Sequence, residues 1–339
     1  MSDSMSDGDS CSYSCYRGDP KSFEELRAFW QDIFQDPEEF VDFYFDKVLS
    51  ENRVILARSD TDQSLVGMLH LHMYPVMIDG KRAKGCYIVK SGVLPEYRDH
   101  GIMHRMLEEA TDIAREEGCA IIYGATDHEE DMERLGFFTA GEYVELDIDI
   151  MMIEEDNGVP DDLSGEEGYY TVRFRDLTDE QLSCLAEEAD EGLAKKYAAY
   201  VLRNGASLAS MRDEHLCQSG GVMAVYESGM SMDEAKSERL AGIFAYDIYD
   251  DTLYVHRFEN FDYNVRYTLD TVVRFAEEAA CRRCVVRMPA AEMCDDVYNL
   301  LGTTARLEEA QGIVAKCLTD TASSDEEKIK RKCFFDEIV

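Results

Sequence analysis

The chain has 339 residues, with 71 acidic against 34 basic side chains, a formal charge of -37 and an ordinary 45% of hydrophobic residues. At about 100–200 residues per domain this length implies two domains, and no apolar run of about 18 residues is present to cross a bilayer. Such an excess of acid repels phosphate backbones, whose binding depends on Lys and Arg displacing counterions, so nucleic acid is not an expected partner. A surface of this sign concentrates cationic small molecules or basic peptides, or simply keeps the chain soluble.

Residues 1–20 are polar and acidic, without the basic start and apolar stretch of a secretory signal. They are expected to be disordered, and the protein to be cytoplasmic. Eleven cysteines are an odd count in a chain without an export signal, so thiols rather than a disulfide framework are expected. Cys11 with Cys15 and Cys281 with Cys284 lack a second pair at zinc-finger spacing, and His100 with His104 lack the glutamate of a metalloprotease helix. No metal is expected.

Ser22 and Glu25 have capping-box spacing, and Phe23, Leu26, Phe29, Trp30, Ile33 and Phe34 follow at helical period. A second helix runs through Phe40, Val41, Tyr44, Phe45 and Val48, after the break at Pro37. The period then shortens: residues 54–57, 65–74 and 85–94 read as strands. From Gly101 to Glu117 an apolar helical face returns, ended by Gly118, and residues 119–125 form a short apolar strand. Strand, turn, helix and strand make a right-handed βαβ unit whose ligand site lies at the carboxyl ends of the strands.

Residues 154–168, rich in Asp, Glu, Gly and Ser, read as a linker. Beyond it Leu240-Ala241-Gly242 repeats the setting of Leu65-Val66-Gly67, and strand 253–258, a helix from Val265 to Ala276 and strand 284–288 complete a second βαβ. The expected fold is an α/β mixed sheet, duplicated in tandem.

Chemistry concentrates in Val93-Leu94-Pro95-Glu96-Tyr97-Arg98-Asp99-His100-Gly101-Ile102-Met103, where a buried strand turns into a helix. Backbone amides at a helix start, with Gly101 allowing close approach and Arg98 adding charge, make an anion cradle suited to a pyrophosphate. With Tyr87-Ile88 before it, and Leu107-Glu108-Glu109-Ala110 and Glu133-Arg134-Leu135-Gly136-Phe137 after it, the segment resembles the Gcn5-related N-acetyltransferase (GNAT) superfamily over residues 22–150. The resemblance implies an acetyl-CoA-binding domain at 21–153, with Val93 on the pantetheine arm and Arg98, Asp99, His100, Gly101, Ile102 and Met103 on the pyrophosphate. Met103 departs from the small residue usual there.

The two-part layout resembles the enhanced-intracellular-survival group of these acetyltransferases. It implies a degenerate second domain at 169–318 and a segment, 319–339, that returns to the core. No glycine occurs between Gly242 and Gly302, so one acetyl-CoA per chain is expected. The resemblance also implies the terminal carboxylate of Val339 as the catalytic base. The family's acid, a tyrosine, is replaced by Met132, leaving Tyr97, Tyr123 and Tyr143 as open choices. The implied activity is N-acetylation of a small amine or basic peptide, such as an aminoglycoside, a polyamine or a lysine-like group. The alternatives are a CoA-binding sensor or scaffold without catalysis and a protein-interaction domain.

Overall fold

Apolar residues spaced three and four apart bury one side of Phe23–Phe34 (α1) and Glu38–Phe43 (α2), the latter running on as a wider turn through Val48. Strands Arg53–Ser59 (β2), Leu65–Ile78 (β3) and Lys81–Val93 (β4) follow, each with a continuous stretch buried on both faces. The computed structural model describes residues 13–18, 23–152, 168–218, 220–230, 236–261, 265–295, 297, 305–319, 322–323, 326–331 and 333–335. The expected linker, apart from its last residue, lies outside these.

The expectation of disorder over residues 1–20 is corrected in part. Tyr13–Gly18 is a strand (β1), paired antiparallel with β2 from Tyr13↔Ser59 to Gly18↔Val54. Its polar composition hides a strand that packs on one side only.

After β4 come helix Ile102–Glu116 (α3), strand Ile121–Thr126 (β5), helix Glu129–Arg134 (α4) and strand Phe138–Asp149 (β6). The second half supplies Tyr169–Arg173 (β7), Asp179–Lys196 (α5), Ala199–Val201 (β8), Gly205–Cys217 (α6), Gly221–Met230 (β9), Lys236–Tyr249 (β10) and Thr252–Asn260 (β11). It ends with Val265–Glu278 (α7), Arg283–Pro289 (β12), Ala305–Cys317 (β13), Glu326–Arg331 (α8) and Cys333–Phe334 (β14).

The duplication extends to individual hydrogen bonds. β4 runs parallel to β5 only over Gly85–Ile88, and β11 runs parallel to β12 only over Thr252–Val255. Val89 bulges out of the β3–β4 ladder where His256 bulges out of β10–β11. A further bulge turns out the carbonyl of Val66, which accepts from Leu94 N at 2.9 Å; that of Ala241 accepts from Phe261 N at 2.8 Å. The glycine that follows each lets a helix close in. A Cβ at Gly67 would meet Ile102 Cγ2 and Met106 Cε at 3.3 Å, and one at Gly242 would meet Thr268 Cγ2 at 2.7 Å.

The two halves do not divide where the chain does. The sheet order is β1-β2-β3-β4-β5-β13-β6-β12-β11-β10-β9-β7, so each half closes on a strand of the other. β13 pairs with β5 through residues 312–317 and with β6 through 305–315, while β6 pairs with β12. The boundaries at 21–153 and 169–318 are therefore limits in sequence, not in space. β8 extends the long β3 strand at Val76–Ile78, and β14 joins β8. One buried cluster unites Trp30, Tyr44, Tyr87 and Tyr123 with Ile313, Ile329 and Phe335 of the C-terminal part.

Residues 1–153 expressed alone leave β5 without β13 and β6 without either neighbour. That fragment should show no cooperative thermal transition by circular dichroism, whereas the full chain should show one.

Candidate functional site

The site begins where β4 and β5 part. Beyond Ile88 and Gly124 they no longer pair, while β5 stays paired along its other edge with β13 as far as Thr126. The stretch 89–93 of β4 thus faces a wedge between the two strands, at the carboxyl ends where such sheets bind ligands. Across β4, His70 pairs with Lys90 beside the bulge. The His70 Nδ1 shares a hydrogen bond with Tyr44 Oη at 2.9 Å, and that oxygen accepts from Asn52 Nδ2 at 2.7 Å. Complete burial pushes the His70 imidazole down to about 3, so it stays neutral. This relay ties α2 to β3 beside the wedge.

At the mouth, Leu94 is pinned to Val66, and Pro95–Tyr97 forms a single tight turn. Val93 is the buried last residue of β4, and its carbonyl accepts from Arg98 Nε at 3.2 Å. The other guanidinium nitrogens of Arg98 have no hydrogen-bond partner among the described residues, and the side chain is exposed. Asp99 and Gly101 take left-handed backbone angles, φ 65° and 79°, that bring the chain round to α3. Asp99, His100 and Gly101 are exposed, while Ile102 is buried under Gly67. Met103 does not crowd the turn: its side chain packs on the cluster under α3.

The first amides of α3 have no partners within the helix, and the helix dipole adds partial positive charge there. No carboxylate stands in its first turn and no side chain caps it, whereas α1, α2 and α4 all begin with acids. Arg98 and these amides stand beside exposed Glu96 and Asp99 of the same turn. The structure thus brings together Val93, Arg98, Asp99, His100, Gly101, Ile102 and Met103 around one cradle.

Val339 and residues 336–338 lie outside the described residues. Phe335, the last described, stacks on Tyr123 with ring centroids 4.6 Å apart. Tyr123 and Tyr143 are core aromatics, the first also beside Tyr87 at 5.3 Å and the second beneath the Arg287 guanidinium at 4.1 Å. Tyr97 is half-buried on the turn, and Met132 is buried on α4. Of the acidic run 127–131, only Glu129 turns inward, against Gly312 of β13. Its position emerges only when β13 is seen to cover β5.

A cavity of about 1260 Å³ lies between the halves, lined by Ala140 and Tyr143 of β6, Glu188 and Lys196 of α5, Glu292 and Cys333. Burial raises the Glu188 carboxyl, with Glu191 and Glu238 adding repulsion. At its base Lys196 Nζ and Tyr197 Oη both donate to Glu292 Oε1, and Asn260 Nδ2 donates to Oε2 at 3.0 Å. Among the described residues no cluster of three His, Cys, Asp or Glu side chains is arranged to hold a metal ion, and the cysteines are free thiols. No helix there is long and apolar enough to cross a membrane.

Residues 17–139 match the family described as the acetyltransferase (GNAT) domain. This part of the chain is a GNAT acetyltransferase domain. The fold is similar to that of a probable N-acyltransferase of otherwise unknown function from Enterococcus faecalis, at 15% identity and TM-score 0.65, over 90% of this chain and 73% of that one. It is similar to a GCN5-related N-acetyltransferase from Kribbella flavida at 13% identity and TM-score 0.61, over 92% and 73%. A tandem GNAT protein from the clavulanic acid biosynthesis pathway aligns over 91% of this chain and 100% of its own, at 12% identity and TM-score 0.58. Among curated proteins no sequence match was found. The chain thus has a tandem GNAT-like fold whose two units differ at one place: 94–101 lie between β4 and α3, but only 261–264 between β11 and α7.

Removing the Tyr44 hydroxyl leaves His70 and Asn52 buried without their shared partner. Tyr44→Phe should therefore cost about 1–3 kcal/mol of stability in urea unfolding, well above the effect of an exposed tyrosine such as Tyr249.

Proposed function

We propose that this chain is a cytoplasmic N-acetyltransferase that moves an acetyl group from acetyl-CoA to the primary amine of a small or peptide acceptor. The observation that carries the reading is the wedge between β4 and β5 opening onto an acid-free helix start. Acetyl-CoA bound there supplies an activated thioester. Amides around Gly101–Met103 and the Arg98 guanidinium hold its pyrophosphate, and the β4 edge near Val93 aligns its pantetheine arm. The open direction above Gly101 and the exposed Arg98 fit that group. Backbone N–H groups of the same edge are placed to stabilise the oxyanion formed on attack.

An alkylammonium, with a pKa near 10.4, must lose a proton before it attacks. The proposed base is the Val339 carboxylate, as in the enhanced-intracellular-survival group. Phe335, four residues before it, is anchored on Tyr123 of β5, the strand that borders the wedge. The thiolate, with a pKa near 8.5, can leave without a strong acid, consistent with Met132 at the family's tyrosine position. The cavity between the halves, with its crowded Glu188, Glu191 and Glu238, suits a cationic acceptor. Buried Met132 also favours a second reading, a CoA-binding sensor without catalysis.

Titration calorimetry should give one acetyl-CoA site per chain, and Gly101→Trp, strained at φ 79° and filling the cradle, should abolish it in a folded protein. Two equal sites, or unchanged affinity in that variant, would contradict the assignment. Release of free CoA across a panel of amines separates enzyme from sensor. If Val339 is the base, one glycine added after it should lower turnover by about 10²–10⁴ with acetyl-CoA affinity unchanged; full activity would move the search to Glu129 and the cavity carboxylates.

A further inference from the structure

We propose that Lys90 is a self-acetylation site, its Nζ taking the acetyl group of acetyl-CoA bound in the wedge, with Asp36 as the proton acceptor. The inference rests on the cofactor site proposed above and adds a covalent modification of the chain itself.

The bulge in β4 decides where Lys90 points. Ile88 packs in the cluster under α3 and Val89 in the cluster under α1, so strict alternation would return residue 90 to the α3 side. Val89 has no partner in the β3–β4 ladder, and this extra residue keeps the next side chain on the α1 side. There Lys90 Nζ lies 5.8 Å from the centre of the Trp30 ring and 5.3 Å from that of Phe34. The Asp36 carboxylate closes the box, with Oδ2 at 3.2 Å and Oδ1 at 3.4 Å from the same nitrogen. Trp30 Nε1 donates to Asp36 Oδ2 at 2.8 Å and fixes its direction.

Two aromatic faces and a carboxylate are what an alkylammonium acceptor needs, and here the ammonium is tethered to the wall of the wedge. Lys90 is the one lysine on 89–93, and β5 has none. Its side chain is 26% exposed and that of Asp36 21%, so the nitrogen is neither sealed in the core nor solvated like a surface lysine.

In the step, Lys90 gives one ammonium proton to Asp36 and attacks the thioester carbonyl carbon. The C–N bond forms, the C–S bond breaks, and the departing sulfur takes a second proton from the nitrogen to leave as free CoA. Asp36 returns its proton to solvent. The product, N-acetyl-lysine, is neutral and no longer pairs with Asp36, so a bare carboxylate then stands beside the wedge where a cation had been.

The test starts from full-length protein whose Lys90 is unmodified by mass, adds acetyl-CoA with an isotope-labelled acetyl group and follows each lysine by peptide mass spectrometry. Lys90 should be labelled at least about 10-fold faster than exposed Lys81, the advantage of reaction within a bound complex. Asp36→Asn should slow the labelling of Lys90 by about 10²-fold with acetyl-CoA affinity unchanged, and Gly101→Trp should abolish it. Lys90 labelled no faster than Lys81, or at the full rate in Asp36→Asn, would overturn the proposal. Calorimetry on the same protein separates it from the cofactor reading: acetyl-CoA bound without label at Lys90 removes self-acetylation alone, and no binding removes the cofactor site with it.

Discussion

β5 stays paired with β13 along one edge from Ile121 to Thr126, but with β4 along the other only as far as Gly124. Past Ile88 β4 leaves β5, and a wedge opens between the two strands. The bulge at Val89 and the pinned Leu94 then aim the edge of β4 and the start of α3 at the same space. The strand that holds the far edge of β5 belongs to the second half.

What the second unit puts in place of the cradle is a rigid polar filling. By register Glu259 stands where the first unit has Gly92, and its carboxylate is fully buried between Arg203 at 2.7 Å and Arg257 at 2.8 Å. Beside it Asn260, Thr268, Glu292 and Lys196 bond to one another. Taking one partner from such a buried group would cost about 3–5 kcal/mol, so the arrangement resists opening. The first unit keeps glycine at that level because α1 lies close over it: a Cβ at Gly92 would meet Ile33 Cγ2 at 2.7 Å. The same bulge and the same turned carbonyl thus frame an open wedge in one unit and a closed polar cluster in the other.

Charge is distributed with equal economy. Most ion pairs, such as Arg134 with Asp131, are exposed and worth little individually. The excess of acid acts as a field that repels polyanions and favours cations near the surface. Against it the start of α3 carries no acid in its first turn, and neither do the starts of α6 and α7.

The sequence by itself determined what is local. The period of the side chains placed the helices and strands, Gly101 and Arg98 marked the cradle, and Leu240-Ala241-Gly242 echoed Leu65-Val66-Gly67 because each glycine must admit a helix. It could not determine the partners of β6 and β13, since an apolar strand reads the same whichever edge it joins. Nor did it reveal β1, whose alternation of Tyr and Cys with Ser is too polar to signal a strand when only one face is packed. The inward turn of Glu129 and the seating of Lys90 against Asp36 were likewise decided by tertiary structure. Both depend on contacts between segments remote in the chain, and no periodicity within either segment records them.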